Sequence, residues 1–267
     1  MRTADVLALA LELADVADRL TLQAFGGEMK VLTKPDGSEV TEVDVAVEQM
    51  IRDRIAAEMP GHRVLGEEDG WGGAAEHAEH DGTQSDVPVW TIDPIDGTTN
   101  FVKGNPIFAT LIACSLGGRD VVGVVSAPAL GSRWHGAEGV GAQQDGRPIR
   151  VSEVRRLADA EVSVGAFSDI EDRAPGLLAD LALGTRRQRG YGDFWAYCLL
   201  ASGSTDAVVE AQLNPWDLAA VRAVVEAAGG RVTDLDGLGR SDGGSAVATN
   251  GLLHDELLAV IGARRAR

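Results

Sequence analysis

Apolar residues are spaced as in a helix over the first part of the chain. They recur every three or four positions up to Leu20, and glycines at 26–27 end the pattern, so we predict a helix there. A short apolar run follows at Val31-Leu32-Thr33, and residues 34–38 have the composition of a turn. Thr41-Glu42-Val43-Asp44 has the form of a capping box. The chain is therefore predicted to begin with two helices around a short hairpin.

The segment from Val87 to Gln144 carries a strand pattern. Short apolar or alternating runs are separated by glycine, aspartate and proline, which predicts an antiparallel meander. The predicted strands are Val89–Ile92, Phe108–Ser115, Val121–Ser126 and Arg133–Ala137. Val64-Leu65 predicts a further short strand. The small, polar stretch Gly70–Asp86, with two histidines at 77 and 80, is expected to be an exposed loop.

Strands and helices alternate beyond about residue 150. The predicted strands are Glu161–Ala166, Thr185–Arg189, Asp206–Glu210, Arg231–Thr233 and Ala246–Thr249. The predicted helices are Glu171–Leu183, Phe194–Ala201, Trp216–Ala228 and His254–Ile261. This order is typical of an α/β layer. We therefore expect two layered halves, an α+β half over 1–150 and an α/β half over 151–267.

The composition is that of an acidic globular protein. The 267 residues carry 24 Lys and Arg against 41 Asp and Glu, a formal net charge of −17. Because no basic surface is available, nucleic acid and anionic membranes are excluded as expected partners. The first residues form neither a signal peptide nor a membrane span, so a cytoplasmic protein is expected. Cys114 and Cys198 lie in apolar runs and are expected to be reduced core thiols.

Acidic residues follow predicted strands or begin a predicted helix at three places. They are Glu67 with Glu68, Asp93 with Asp96, and Asp217. Strand ends and helix starts hold side chains rigidly, as a metal site requires. Carboxylates, with the carbonyl of Ile95 and without Cys or His, select a hard cation such as Mg²⁺ or Mn²⁺. Such crowded carboxylates would repel one another unless cations occupied the site.

Gly97 and Thr98 directly follow the second acidic pair. Backbone N–H groups can approach an anion closely at a glycine, and a helix that begins there favours phosphate. Carboxylates, cations and phosphate in this order suit metal-assisted hydrolysis of a phosphate ester, with two cations about 4 Å apart. Taken alone, Asp93 to Gly97 could instead be a turn with capping acids.

Three segments resemble the signature segments of the inositol monophosphatase family. They are Gly66-Glu67-Glu68, Asp93-Pro94-Ile95-Asp96-Gly97-Thr98-Thr99-Asn100-Phe101 and Trp216-Asp217-Leu218-Ala219-Ala220. The resemblance covers essentially the whole chain. It implies a layered αβαβα sandwich, in a homodimer that acts on a small phosphorylated metabolite. It also implies a family in which Li⁺ inhibits many members.

The resemblance implies a role for each site residue. The ligands of two or three Mg²⁺ ions, with Mn²⁺ as an alternative, would be Glu67, Asp93, the carbonyl of Ile95, Asp96 and Asp217. Gly97 and Thr98 would hold the phosphate through their backbone. The Thr98 hydroxyl and Asp44 would orient the attacking water, with Glu67 as a further catalytic group. From the residues alone, Asp44 is an ordinary acid at a helix start. The reaction would be an in-line attack on a phosphate monoester without a phosphoenzyme.

The choice of substrate depends on the second half of the chain. The segment Arg189-Gly190-Tyr191-Gly192-Asp193-Phe194-Trp195, together with 214–220, resembles the histidinol-phosphate phosphatases of that family. The predicted substrate-binding residues are Glu67, Ile95, Asp96, Gly97, Thr98, Arg189, Asp193, Glu210 and Asp217. The leaving group of histidinol phosphate is cationic, and Asp193 and Glu210 would suit it. An inositol-1-phosphate phosphatase or a broad sugar phosphatase is the alternative.

Some of these side chains keep a second interpretation. Asp193 could instead cap the helix that begins at Phe194. Arg189 could contact the phosphate, a neighbouring subunit or solvent only. Phe194 and Trp195 are expected in the core rather than stacked on a substrate ring. Lys34, in the hairpin turn, is left without an assigned role near the metal site.

Overall fold

Helices and strands of the computed structural model are described for residues 2–35, 37–73 and 87–265. The helices are α1 (Thr3–Ala24), α2 (Glu42–Glu58), α3 (Thr98–Val102), α4 (Phe167–Arg173), α5 (Leu177–Gly184), α6 (Asp193–Ala201), α7 (Pro215–Ala227) and α8 (His254–Arg265). The strands of the N-terminal half are β1 (Val31–Thr33), β2 (Glu39–Thr41), β3 (Arg63–Gly66), β4 (Gly70–Gly73), β5 (Val89–Asp96), β6 (Ala109–Leu116), β7 (Arg119–Ala127), β8 (Ser132–Ala137), β9 (Gly141–Gln144) and β10 (Arg147–Ile149). Those that follow are β11 (Glu161–Val164), β12 (Arg187–Arg189), β13 (Ala207–Glu210), β14 (Arg231–Thr233) and β15 (Ala246–Thr249).

The chain begins with the predicted pair of helices around a hairpin. β1 and β2 pair antiparallel, with Val31 opposite Thr41. The Thr41 side chain accepts from the N–H groups of Val43 and Asp44, and the Asp44 carboxylate accepts from the Thr41 N–H. The predicted capping box is therefore confirmed, and it fixes the entry of α2.

An eight-stranded sheet has the order β10-β9-β8-β7-β6-β5-β3-β4. From β5 to β10 each strand pairs antiparallel with the next, which confirms the predicted meander. β3 departs from this pattern because it runs parallel to β5, with Gly66 opposite Ile92. The residues that follow β3 therefore lie beside the end of β5, at one edge of the sheet.

The second sheet is five-stranded and mixed, in the order β12-β11-β13-β15-β14. α6 and α7 lie between the two sheets, and α7 packs on strands of both. α1 and α2 cover the other face of the first sheet, whereas α4, α5 and α8 cover the outer face of the second. The layers thus alternate α, β, α, β, α, which confirms the predicted sandwich. Both cysteines are buried and free, as expected.

Successive side chains of β6 point alternately into the two hydrophobic clusters on either side of the first sheet. Leu111 and Ala113 face the cluster that contains α7, whereas Ile112 and Cys114 face the cluster that contains α1. A strand that is buried on both faces reads as a continuous apolar run, as this one does. The sheet is therefore held from both sides, and its edge is a rigid platform for functional groups.

α7 approaches the first sheet closely because two glycines face it. A Cβ atom at Gly123 would lie 2.2 Å from the carbonyl oxygen of Ala220, and one at Gly136 would lie 2.7 Å from the Cα of Val224. Only glycine permits this spacing between helix and sheet. These contacts set the distance of α7 from the first sheet, and Asp217 lies in the first turn of this helix, in a capping box with Asn214.

Two local predictions are wrong. The single helix expected over 171–183 is interrupted between α4 and α5, because Pro175 cannot continue a helix and Gly176 adopts a left-handed φ of +81°. The loop expected over 70–86 begins with β4, which pairs antiparallel with β3. Residues 74–86, with both predicted solvated histidines, lie outside the described residues. No described helix is long and apolar enough to span a membrane.

Replacing Gly123 with alanine should destabilise the protein. The new methyl group would overlap the α7 backbone, and overpacking of this kind costs about 1–3 kcal/mol. The free energy of unfolding in urea would measure the loss. Gly61→Ala is the matched control, because a Cβ atom there meets no atom within 4 Å. Equal stability of the two variants would contradict the packing described for α7.

Candidate active site

Three carboxylates meet where β5 ends and α7 begins. One oxygen each of Asp93, Asp96 and Asp217 lies within 4.8 Å of the other two. Asp93 and Asp96 are buried, and Asp217 is partly buried. In the part of the chain that the structure describes, none of the three forms an ion pair with Lys, Arg or His. The sequence predicted all three as metal ligands, and the structure brings them together.

An irregularity in β5 allows Asp93 and Asp96 to act together. Side chains three positions apart in a regular strand point to opposite faces of the sheet. Here the pairing of β5 with β6 changes register between the two aspartates. Pro94 lies in this interval without an N–H to donate, and its carbonyl accepts from the Thr110 hydroxyl at 2.8 Å. The bulge turns both carboxylates toward the start of α7.

The surroundings favour the protonated form of these carboxyl groups. Burial raises the pKa of Asp93, and the charges of Glu67, Asp96 and Asp217 raise it further. Burial also raises the pKa of Asp96, although the Phe194 N–H donates to it at 2.6 Å. Burial raises the pKa of Asp217 to about 6, against the opposing bonds from Asn214. A divalent cation would remove this repulsion.

The donor set fits such a cation. Oδ1 of Asp93 is buried and has no hydrogen-bond partner among the described residues. A buried carboxylate oxygen without a partner is costly unless a cation or a proton occupies its lone pairs. The three side chains of the cluster offer oxygen atoms only. This is the ligand chemistry of a hard cation.

Glu67 lies beside this cluster rather than within it. Its backbone N–H donates to the Ile92 carbonyl at 3.2 Å, which holds it against the end of β5. Its carboxylate is 2.8 Å from Nζ of Lys34, which also reaches Glu68 at 2.9 Å. Burial lowers the pKa of Lys34, but its bonds to Glu67 and Glu68 outweigh burial and raise it overall. Lys34 therefore acts as the local counter-charge.

Glu48 is a positioning residue that the sequence did not reveal. This fully buried side chain of α2 accepts from the N–H groups of Glu68 and Asp69, at 2.8 and 3.0 Å. It also pairs with Arg52 one turn later. The loop that carries Glu67 is thereby tied to α2. In the sequence, Glu48 is one more acid in a helical pattern, so no signal distinguishes it.

Asp44 and Thr98 form a second hydrogen-bonded group. One oxygen of Asp44 accepts from the Thr41 N–H at 2.8 Å, and the other lies 3.4 Å from the Thr98 hydroxyl. The same hydroxyl lies 3.0 Å from the carbonyl oxygen of Ile95. Burial raises the pKa of Asp44, although the bonds from Thr41 oppose the shift. The structure therefore joins three sequence-predicted site residues from α2, β5 and α3.

Gly97 begins α3 in a conformation that suits glycine. Its φ is +82°, and a Cβ atom there would lie 3.0 Å from the Ile107 carbonyl oxygen. The first N–H groups of α3 have no acceptor within the helix. They open next to Glu67 and Thr98 in a cavity of about 340 Å³. Because Gly97 directly follows Asp96, the N–H groups of Gly97 and Thr98 lie close in the chain to one member of the carboxylate cluster.

A second cavity of about 230 Å³ extends from the carboxylate cluster into the second half of the chain. Asp96 and Asp217 line one part of it, and Asp193 and Glu210 line another. The Tyr197 hydroxyl donates to Glu210 at 2.7 Å. Burial raises the pKa of Glu210 to about 8, and the Asp193 charge contributes to this shift while the Tyr197 bond opposes it.

The structure decides the second interpretation of Asp193. α6 begins at Asp193, its N-cap is Gly192, and no side-chain cap bond is present there. Asp193 itself has a φ of +53°, which is unfavourable for a residue with a Cβ atom. The capping interpretation is therefore wrong. Phe194 is fully buried and Trp195 packs edge-on against Trp134, so the expected core positions are confirmed.

Arg189 is not brought to the cavity. It lies on the edge strand β12, where its guanidinium donates to the Gln188 carbonyl at 2.7 Å. It is not among the residues that line the cavity with Asp193 and Glu210. Asp169 of α4 does line this cavity, although the sequence analysis did not single it out. The sequence predicted that this helix begins at residue 171, whereas α4 begins at Phe167.

The chain is similar to known proteins over nearly its whole length. The model of the inositol monophosphatase family matches residues 3–264. The chain belongs to this family. Histidinol-phosphatase from Mycobacterium tuberculosis is 48% identical over 95% of this chain and 96% of its own. Histidinol-phosphatase from Streptomyces coelicolor is 43% identical over 97% of this chain and 98% of its own.

The solved structures agree with this assignment. The Thermotoga maritima IMPase superimposes with a TM-score of 0.82 at 32% sequence identity, over 97% of both chains. The predicted family and its fold are therefore confirmed. Members of the family act as phosphatases on small phosphorylated substrates and generally depend on Mg²⁺. The acidic cluster of Asp93, Asp96 and Asp217 is where this chain can hold such an ion.

Asp93→Asn should stabilise the protein when divalent cations are removed. The change deletes one of three mutually repelling charges, and the unpaired Oδ1 is relieved, for a gain of about 1–3 kcal/mol. The free energy of unfolding in EDTA at mildly alkaline pH measures it. The surface variant Asp242→Asn is the control. A loss of stability in Asp93→Asn would contradict the repulsion described.

Proposed function

We propose that this protein is a histidinol-phosphatase that hydrolyses L-histidinol phosphate to L-histidinol and phosphate in histidine biosynthesis. The observation that carries this proposal is the cavity that Asp193 and Glu210 line together with Asp96 and Asp217 of the acidic cluster. Neither Asp193 nor Glu210 has a basic partner among the described residues. The names of the relatives from two organisms support it, and so does the sequence resemblance. The proposed enzyme is a cytoplasmic homodimer without nucleic acid or membrane partners.

The proposed metal site uses five oxygen donors. Asp93, Asp96, Asp217 and the carbonyl of Ile95 surround one region, and Glu67 lies at its side. These groups suit two or three Mg²⁺ ions, with Mn²⁺ as an alternative. When bound, the cations supply charge neutralisation of the phosphate and activation of water. Lys34 lies 2.8 Å from the Glu67 carboxylate, which would have to release this ammonium group in order to hold an ion.

Asp44 and Thr98 are proposed to orient the attacking water. One oxygen of Asp44 is occupied by Thr41, so the oxygen next to the Thr98 hydroxyl is the one that can accept a proton from water. The Thr98 hydroxyl is fixed by Ile95 at 3.0 Å and offers a lone pair on the same side. The N–H groups of Gly97 and Thr98 would receive the phosphate oxygens. This arrangement aligns water and ester without a covalent intermediate.

The cavity discriminates between leaving groups by charge. L-Histidinol carries an ammonium group on the carbon next to the CH₂–O group that bears the phosphate. Asp193 and Glu210 line the cavity beside Asp96, where this group would lie. A neutral polyol could donate hydrogen bonds to these acidic groups, but it would bring no positive charge to them. The site therefore favours a cationic phosphate ester over inositol phosphate.

The ratio of kcat/KM for L-histidinol phosphate to that for inositol 1-phosphate tests this function. We expect a ratio of about ten or more, equivalent to about 1.4 kcal/mol of discrimination. Asp193→Asn should lower the ratio, because residue 193 then brings no negative charge to the ammonium group. EDTA should abolish the activity, and Mg²⁺ should restore it.

Two outcomes would contradict the proposal. A tenfold preference for inositol 1-phosphate would favour the inositol phosphatase alternative. Activity that survives complete removal of divalent cations would exclude the metal site as the catalytic centre. Trp195→Phe provides a control for general effects of mutation near the cavity, because Trp195 packs on Trp134 and is not among the lining residues.

A further inference from the structure

A third carboxylate of the leaving-group cavity has no role in the proposed reaction. Asp169 lies in the first turn of α4 and lines the same cavity as Asp193 and Glu210. It does not cap the helix, since the N-cap is Ala166 and no side-chain cap bond is present. Its hydrogen-bond partner is the neighbouring hydroxyl of Ser168, at 3.1 Å. Within the described residues it forms no ion pair.

The layers of the fold place Asp169 at the end of the cavity away from the metal-binding cluster. Asp96 belongs to the first sheet and Asp217 to the helix layer between the sheets. α4 packs on the outer face of the second sheet, where its Ile170 is buried in a hydrophobic cluster with residues of α5, α8 and that sheet. The cavity therefore runs from the edge of the first sheet to α4. Asp193 and Glu210, which interact electrostatically with Asp96, lie between the two ends.

The leaving group of the proposed substrate has two polar groups at different distances from the ester. The ammonium is attached to the carbon next to the CH₂–O group, and the imidazole is attached to the same carbon through a further CH₂. The first group therefore reaches Asp193 and Glu210, and the second reaches farther along the cavity. We propose that Asp169 accepts a hydrogen bond from the imidazole and gives the enzyme its preference for an imidazole-bearing phosphate ester. This inference rests on the proposed function.

The test compares two phosphate esters that differ by the imidazole. O-Phosphoethanolamine has the CH₂–O–phosphate and the neighbouring ammonium, but it lacks the imidazole. We expect Asp169→Ala to lower the ratio of kcat/KM for L-histidinol phosphate to that for O-phosphoethanolamine about tenfold, mainly through KM for histidinol phosphate. Inhibition by the product L-histidinol should weaken by a similar factor, whereas inhibition by inorganic phosphate should not.

Asp172→Ala is the matched control, since it removes the same charge from an exposed position of the same helix. The ratio should be unchanged in this variant. An equal loss on both substrates in Asp169→Ala would show a structural role and overturn the inference, as would an unchanged ratio. If the unaltered enzyme does not hydrolyse L-histidinol phosphate, the proposed function fails, and this inference fails with it. Hydrolysis whose preference survives Asp169→Ala overturns the inference alone.

Discussion

Three neighbouring carboxylates, which have no basic partner among the described residues, are the central feature of this structure. Asp93, Asp96 and Asp217 lie close enough to share one cation, and burial together with mutual repulsion raises the pKa of each. A folded chain tolerates such a cluster only if the surrounding packing enforces it and cations or protons offset its negative charge. The negative net charge of the chain is therefore compatible with a phosphate substrate, because bound cations reverse the local sign.

The rest of the fold holds these carboxylates close together. The register change in β5 turns two of the carboxylates to one side, and glycines of β7 and β8 admit α7 closely enough to bring the third. The parallel pairing of β3 with β5 adds Glu67 at the same edge, and the buried Glu48 fixes the loop that carries it. Three of these devices are backbone arrangements, and the fourth is a buried side chain that ties down a loop, so packed structure holds each donor in place.

The sequence predicted most of the site because the acids follow strands or begin a helix. Periodicity placed Asp93, Asp96 and Asp217 at such ends, and their oxygen chemistry indicated a hard cation. Asp44, Asp193 and Glu210 entered through family resemblance, since an isolated acid carries no periodic signal. Asp169 was missed because the predicted helix began at Glu171, whereas α4 begins at Phe167. Glu48 was missed because only tertiary contacts reveal what a buried acid binds. Arg189 shows the reverse case, in which a suggestive motif lies on an edge strand away from the cavity.

The coupling of cation binding to proton release tests the central claim most directly. Because burial raises the pKa of the clustered carboxyl groups, part of them carry protons at about pH 6, and Mg²⁺ must displace these protons. Calorimetric titration with Mg²⁺ in two buffers of different ionisation enthalpy measures the number released. The account predicts net proton release at about pH 6, less release at about pH 8, and tighter apparent binding at the higher pH. Absence of Mg²⁺ binding, or binding at about pH 6 without proton release, would contradict it.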